Sequence, residues 1–300
     1  MIIDIHTHTF PDRIARTAID KLSKAAHAAA FTDASNQSLL SSMEKAGIDL
    51  SVIAPVATSP AQVEKINDSA ARLTETYMTA SSEDVQLMSF GCIHPDYPHF
   101  REELKRLISL GIRGIKLHPV YQGVNIDDIR FLRILDCAAS EGLVVLTHAG
   151  LDIGFPGVVH CSPMMCRHAL EEIGPFPFIL AHMGGWHEWE DVLQLLPGTG
   201  CYIDTSFSTD SFTPLSDGYW KEGEEKMLSP EAFVRLVRAF GADHVIFGSD
   251  SPWSDQKVSL DWIRDCGPDG KHALSAEIAL TQEEIQLILG ENARNILKLS

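Results

Sequence analysis

Asp4-Ile5-His6-Thr7-His8, at the head of this 300-residue chain, carries two imidazoles two residues apart. Side chains alternate across a strand, so His6 and His8 face the same way and can reach one metal ion. Three later stretches end an apolar run in a metal-capable residue. They are Val144-Val145-Leu146-Thr147-His148, Phe178-Ile179-Leu180-Ala181-His182 and Val245-Ile246-Phe247-Gly248-Ser249-Asp250. Taken singly, each is a weak signal, since a buried histidine with a satisfied hydrogen bond is commoner than a ligand. Together they set zinc-type ligands at four separate strand ends. Catalytic zinc usually keeps three protein ligands and an open position for water. His6, His8 and His148 can supply three nitrogens. Asp250 is then either a fourth ligand or the base beside the water, and His182 can hydrogen-bond that water or a substrate oxygen. A divalent ion lowers the pKa of its water to about 7, which yields hydroxide at neutral pH.

The elements that must gather these residues alternate in type. Strand signals fall at the N-terminus and at 48–54, 85–93, 114–118, 143–148, 178–182, 201–204 and 244–247. Helical compositions lie between them, at 11–30, 36–46, 61–79, 100–110, 128–140, 163–174, 186–196 and 230–240, then at 283–289 and 292–297. Residues 205–229 read as irregular, with Phe207, Phe212, Tyr219 and Trp220 among them as a lid or an oligomer contact. Eight strands alternating with helices imply a parallel sheet covered by helices, and the count favours a closed (β/α)8 barrel over an open doubly wound sheet. A closed ring also brings the ends of the first, fifth, sixth and eighth strands to one axis, where such barrels place their active sites. The whole of 1–300 reads as a single domain.

Composition narrows the function classes. Hydrophobic residues make up 45% and the formal charge is -17. The first favours a globular protein with a sizeable core. The second argues against a nucleic-acid partner, because phosphates select basic surfaces. No apolar run approaches a membrane span, and Asp4, His6 and His8 interrupt any secretory leader at this start. The six cysteines include no Cys-x-x-Cys pair, so a reducing cytoplasm is the expected setting. A small-molecule substrate is the expected partner, and a homodimer is left open.

The ordered motifs resemble the metal-dependent amidohydrolase superfamily. Within it, the chain is most similar to the amidohydrolase-related group that includes aminocarboxymuconate-semialdehyde decarboxylase and related aromatic-acid decarboxylases and lactonases. The pieces that carry the resemblance are the opening 4–8 motif, Gly114-Ile115-Lys116-Leu117-His118-Pro119, Thr147-His148-Ala149-Gly150, Ala181-His182-Met183-Gly184-Gly185 and Phe247-Gly248-Ser249-Asp250-Ser251-Pro252, with an ending of Gly290-Glu291-Asn292-Ala293-Arg294-Asn295-Ile296-Leu297. The resemblance implies a distorted (β/α)8 barrel, a metal held by His6, His8, His148 and Asp250, and a catalytic role for His182. In some superfamily members a fourth-strand lysine is carboxylated and bridges two metals. Lys116 stands at that place, but the closer group follows a one-metal pattern, so one Zn2+ is expected, with Mn2+ or a Lys116-bridged pair as alternatives.

Around this set, Lys116 and His118 share strand parity and face the barrel interior, with Lys116 read as paired to a carboxylate. His118, His160 and Trp186 are the candidate substrate contacts, and His94 could line the pocket. Cys161 sits with His160 in the long 151–163 loop. The leading expectation is a metal-dependent hydrolase of an amide, lactone or related bond, with Asp250 carrying the proton and His182 helping to stabilise the oxyanion. A non-oxidative decarboxylase of a small unsaturated or aromatic acid uses the same ligands, and a non-catalytic metal-binding protein is the third reading. No arginine adjoins the strand-end motifs except Arg113, whose parity opposes Lys116; that tilts the reading to hydrolysis.

Overall fold

A computed structural model describes residues 1–78, 85–209, 212–221 and 227–299. Its strands are β1 (Ile3–Thr7), β2 (Leu50–Ile53), β3 in two pieces (Gln86–Ser89 and Gly91–Cys92), β4 (Gly114–Leu117), β5 (Val144–Thr147), β6 (Phe178–Leu180), β7 (Tyr202–Asp204) and β8 (Val245–Ile246). Each pairs in parallel with the next. The split in β3 divides its pairing: the first piece bonds to β2 and the second to β4. The chain leaving β8 returns to β1. Ile5 N donates to Phe247 O at 3.0 Å, Asp250 N donates to His6 O at 2.8 Å, and Thr7 bridges Ser251. The strand order thus closes into a (β/α)8 barrel.

Parity explains the core. Val144, Leu146, Ile179, Ala181 and Ile246 point into the ring and pack with Met88 and Phe90. Their neighbours Val145, Phe178, Leu180, Val245 and Phe247 point outward against the helices. Strands buried on both faces are expected to be continuously apolar, as these are. Ala293 and Leu297 add to the inner cluster from the C-terminal segment. Gly290 in that segment abuts the carbonyl of Met1, where a Cβ would come within 2.0 Å. The segment therefore seals the barrel end opposite the site.

Several helices start as their sequences dictate. Ser35, Ser162 and Ser229 accept a backbone N–H through their side chains, and Pro163 and Pro230 occupy the first helical turn. Some boundaries differ from expectation. The helix expected from residue 11 to 30 ends at Ala26, because His27 turns left-handed (φ 53°) and Ala28–Ala29 pairs antiparallel with Thr213–Pro214. The helix expected from 186 begins at Trp189, because Trp186 is held in a bridge to Gly150 instead. The 61–79 expectation resolves into a 3-10 turn and a helix Val63–Met78; Thr79 lies outside the described residues, as do 210–211 and 222–226 of the irregular stretch. Among the described residues no helix is long and apolar enough to cross a membrane.

Candidate metal centre

β1 carries a register shift between Asp4 and Thr7 against β2. A bulge of this kind re-aims side chains, and here it separates two residues of the same parity. Asp4 accepts from Ser249 N, Ser249 Oγ and Gln256 Nε2. His6 instead meets His8, Lys116 and Asp204 above the ring. Asp4 thereby anchors the loop that presents Asp250. Burial pushes the Asp4 carboxyl up to about 6, against the pull of those hydrogen bonds.

His6, His8 and Asp250 form a compact triplet. His6 Nε2 and His8 Nε2 stand 3.2 Å apart, and Asp250 Oδ1 lies 3.1 Å from the second and 3.6 Å from the first. Two ligands about 2.1 Å from one ion, at a roughly tetrahedral angle, are about 3.4 Å apart. The two ring planes meet at 71°, so their in-plane lone pairs can converge. Burial holds His6 well below the usual imidazole range, which leaves it neutral and able to ligate. Burial alone would raise Asp250, but the hydrogen bond from His8 and the surrounding imidazoles of His6 and His182 bring it down to about 2. The donor set fits a zinc-type divalent ion.

Asp204, at the end of β7, organises this triplet from behind. Its Oδ2 accepts a hydrogen bond from His6 Nδ1–H at 2.8 Å, which leaves the Nε2 lone pair facing the site. Its Oδ1 accepts from His182 N and Ser206 N, each at 3.0 Å, and from Ser206 Oγ. His182 and Asp250 both hold left-handed backbones (φ 59° and 64°). Such a conformation costs about 1–2 kcal/mol in a residue with a Cβ. The bonds from His182 N to Asp204 and from Asp250 N to His6 O offset that cost. Sequence reading passed over Asp204, although Tyr202-Ile203-Asp204 repeats the apolar-run-then-ligand pattern of the other strands.

The remaining candidates occupy the neighbouring sector. His148 is not in the triplet: its Nδ1 lies 3.1 Å from His182 Nε2, and it groups with His118 and Asp152. His182 Nδ1 faces the Ser206 carbonyl at 3.0 Å and so carries the ring proton. Its Nε2 lone pair then accepts a hydrogen bond from His148 Nδ1–H at 3.1 Å. Lys116 is almost wholly buried and points inward as expected, but its Nζ lies 2.7 Å from His6 Nε2 and not against a carboxylate. Burial lowers it to about 8, against the opposing charges of Asp204 and Asp250.

A family profile described as Amidohydrolase matches residues 3–299. The chain belongs to the amidohydrolase family. Solved structures of low identity share its fold. An uncharacterized TIM-barrel protein from Bordetella bronchiseptica superposes with a TM-score of 0.73 at 16% identity, over 99% of this chain and 98% of that one. A dihydroxybenzoic acid decarboxylase from Polaromonas sp. JS666, with bound manganese and the inhibitor 2-nitroresorcinol, gives 0.62 at 13% over 99% and 97%. A structure described as a probable 2-pyrone-4,6-dicarboxylic acid hydrolase from Acinetobacter baumannii, with citric acid bound, gives 0.59 at 18% over 99% of each chain. A D-hydantoinase from Rhizobium radiobacter is 49% identical over 49 residues, a match that spans only 11% of that protein and 16% of this chain.

In this amidohydrolase an aromatic cluster borders the histidines. Phe207 lies 6.3 Å from His182 and 5.7 Å from Trp186, and Phe212 stacks behind it at 5.6 Å. Trp220 Nε1 donates to Ala26 O, and Tyr219 stacks on His27 at 3.8 Å. The described part of the irregular stretch is therefore packed on its own chain. Gly150 lets Trp186 approach: a Cβ there would come within 2.2 Å of Trp186 N. His160 is tied to Asn125 Oδ1 at 2.6 Å, and His94 Nδ1 accepts from Asp96 N. Cys161 is buried, 3.4 Å from Cys166 Sγ.

Proposed function

We propose that this chain is a metal-dependent hydrolase that cleaves an amide, lactone or related bond of a small molecule. The observation that carries the reading is the convergence of His6 Nε2, His8 Nε2 and Asp250 Oδ1 at ligand spacing. A divalent ion held there, one zinc or manganese, supplies Lewis-acid polarisation and acidified water when bound. The chain's own residues supply the rest. Asp204 fixes the proton of His6 on Nδ1, so His6 presents a lone pair toward the site. Asp250, ionised near neutral pH, takes the proton of the attacking water and passes it to the leaving group. His182, with its Nε2 lone pair beside His148, is the second acid/base group. His148 holds that imidazole in place, and the Trp186–Phe207 wall excludes water.

We favour hydrolysis over decarboxylation because no arginine adjoins the strand-end motifs except Arg113, whose parity opposes Lys116 and which is exposed. The test is a zinc- or manganese-loaded enzyme assayed on amide, lactone and aromatic-acid panels. Hydrolysis products with no release of carbon dioxide support the reading; decarboxylation without hydrolysis overturns it. Metal-loaded Asp250→Asn should turn over roughly 10²-fold or more slowly, because an amide cannot carry the proton. Near wild-type turnover by that variant moves the proton transfer to His182.

A further inference from the structure

His182 stands in a turn of unfavourable backbone. His182, Met183 and Gly184 are left-handed in succession (φ 59°, 54° and 88°), and only the glycine adopts that conformation freely. A side chain leaves its Cα in a direction set by the two flanking peptide planes, so whatever holds those planes aims the imidazole. On the first plane, Ala181 O accepts from Gly184 N at 3.1 Å and His182 N donates to Asp204 Oδ1 at 3.0 Å. On the second, Met183 N donates to Asp204 O at 2.7 Å. The remaining group is the His182 carbonyl. It accepts from Gly185 N at 3.2 Å and from the indole Nε1 of Trp189 at 3.0 Å.

Trp189 reaches that carbonyl from outside the turn. It is half-buried and is the first residue of the helix Trp189–Leu195. Trp186 is held against Gly150 and His187 is left-handed (φ 64°), so the chain doubles back and returns the indole to His182. A tryptophan N–H usually finds an acceptor when it leaves water. Here the acceptor belongs to the histidine whose Nδ1 faces Ser206 O at 3.0 Å and whose ring stands in the site. Trp189 also packs against the apolar clusters on either side of it. Packing calls for the bulk of the ring; holding the carbonyl calls for the N–H.

We propose that Trp189 is a positioning residue: its indole N–H fixes the peptide plane after His182 and so holds that imidazole at the Ser206 carbonyl, ready for proton transfer. The kinetic consequence rests on the acid/base role given to His182 above; the positioning rests on the geometry of the turn.

Two substitutions separate the hydrogen bond from packing. Trp189→Phe keeps a large ring and removes the N–H. Trp189→His is smaller, but its Nε2 lies two bonds from Cγ, as the indole Nε1 does, so a donor stays in place. Zinc-loaded enzyme is assayed on the substrate turned over fastest in the amide, lactone and aromatic-acid panels. Trp189→Phe should lower kcat about fivefold or more, with KM and zinc content within about twofold of wild type, and Trp189→His should recover much of the loss. In a His182→Ala background the same Trp189→Phe change should alter kcat by less than about twofold, because its effect travels through the missing imidazole. Crystal structures read the contrast without turnover: His182 Nδ1 should leave the Ser206 carbonyl in Trp189→Phe and stay there in Trp189→His. If Trp189→Phe does not fold, Trp189→Tyr, which also lacks the indole N–H, takes its place. An unmoved His182 in Trp189→Phe overturns the proposal. So does a phenylalanine variant that outperforms the histidine variant, which marks packing, or a Trp189→Phe loss that persists undiminished in His182→Ala. Wild-type turnover by His182→Ala instead removes the acid/base reading and leaves the positioning to be decided by the crystal structures.

Discussion

Replacing Asp204 with asparagine changes almost no volume but removes one acceptor from the back of the metal centre. In the native chain Oδ1 serves three donors, His182 N, Ser206 N and Ser206 Oγ, while Oδ2 serves His6 Nδ1 at 2.8 Å. An asparagine has one acceptor oxygen, and the three donors claim it. Its NH2 then faces His6 Nδ1, donor against donor. His6 relieves that clash by moving its proton to Nε2, the nitrogen that faces His8 and Asp250, and a protonated Nε2 is no ligand. Losing such a partner typically costs 10–100-fold in metal affinity, or about 1.4–2.7 kcal/mol. Zinc affinity measured by competition with a chelator reads this directly. Ser206→Ala is the control: it deletes a donor to Asp204 and the hydroxyl 2.9 Å from His6 Nδ1, but leaves His6 Nδ1 paired with Asp204 Oδ2, so affinity should move by less than about threefold. Asp204→Asn within twofold of wild type, with its fold intact, refutes the argument that Asp204 sets the His6 proton.

Other outcomes follow from the same geometry. Gly150→Ala should yield insoluble protein or a melting temperature many degrees lower, because φ is +81° and the new Cβ falls on the Trp186 backbone at 2.2 Å; a melting curve matching wild type contradicts the Gly150–Trp186 approach. Asp4 gives a pH signature. Its folded pKa, about 6, lies above the ordinary value of 3.8, so its contribution is fully favourable below about pH 4 and declines by about 3 kcal/mol as pH rises through 6. Denaturant titrations of metal-free Asp4→Asn between pH 4 and 7 should show a flatter slope than wild type, and parallel slopes would remove this assignment.

The sequence made the barrel legible because strands buried on both faces must be apolar throughout and must end in polar residues where they surface. That rule located His6, His8, His148, His182 and Asp250 at strand ends. What it could not convey was aim. The bulge in β1 sends Asp4 and His6, residues of one parity, to different partners. The His148 ring turns to His182 and the Asp152 side, outside the His6–His8–Asp250 triplet, and His182 is itself held by Asp204 and Ser206 more than 20 residues downstream. Asp204 closes a strand of only three residues, so it read as the end of a short strand before an irregular stretch and not as part of the ligand set. Asp152 sits inside a long loop, where no periodicity exists to mark it.

The central claim is a single divalent ion at the His6–His8–Asp250 triplet, and anomalous diffraction from crystals of zinc-loaded protein tests it most directly. The expected result is one peak within bonding distance of His6 Nε2, His8 Nε2 and Asp250 Oδ1, with no added density on Lys116. An absent peak there, a peak seated only on His118, His148 and Asp152, or two peaks bridged by density on the Lys116 side chain would contradict it.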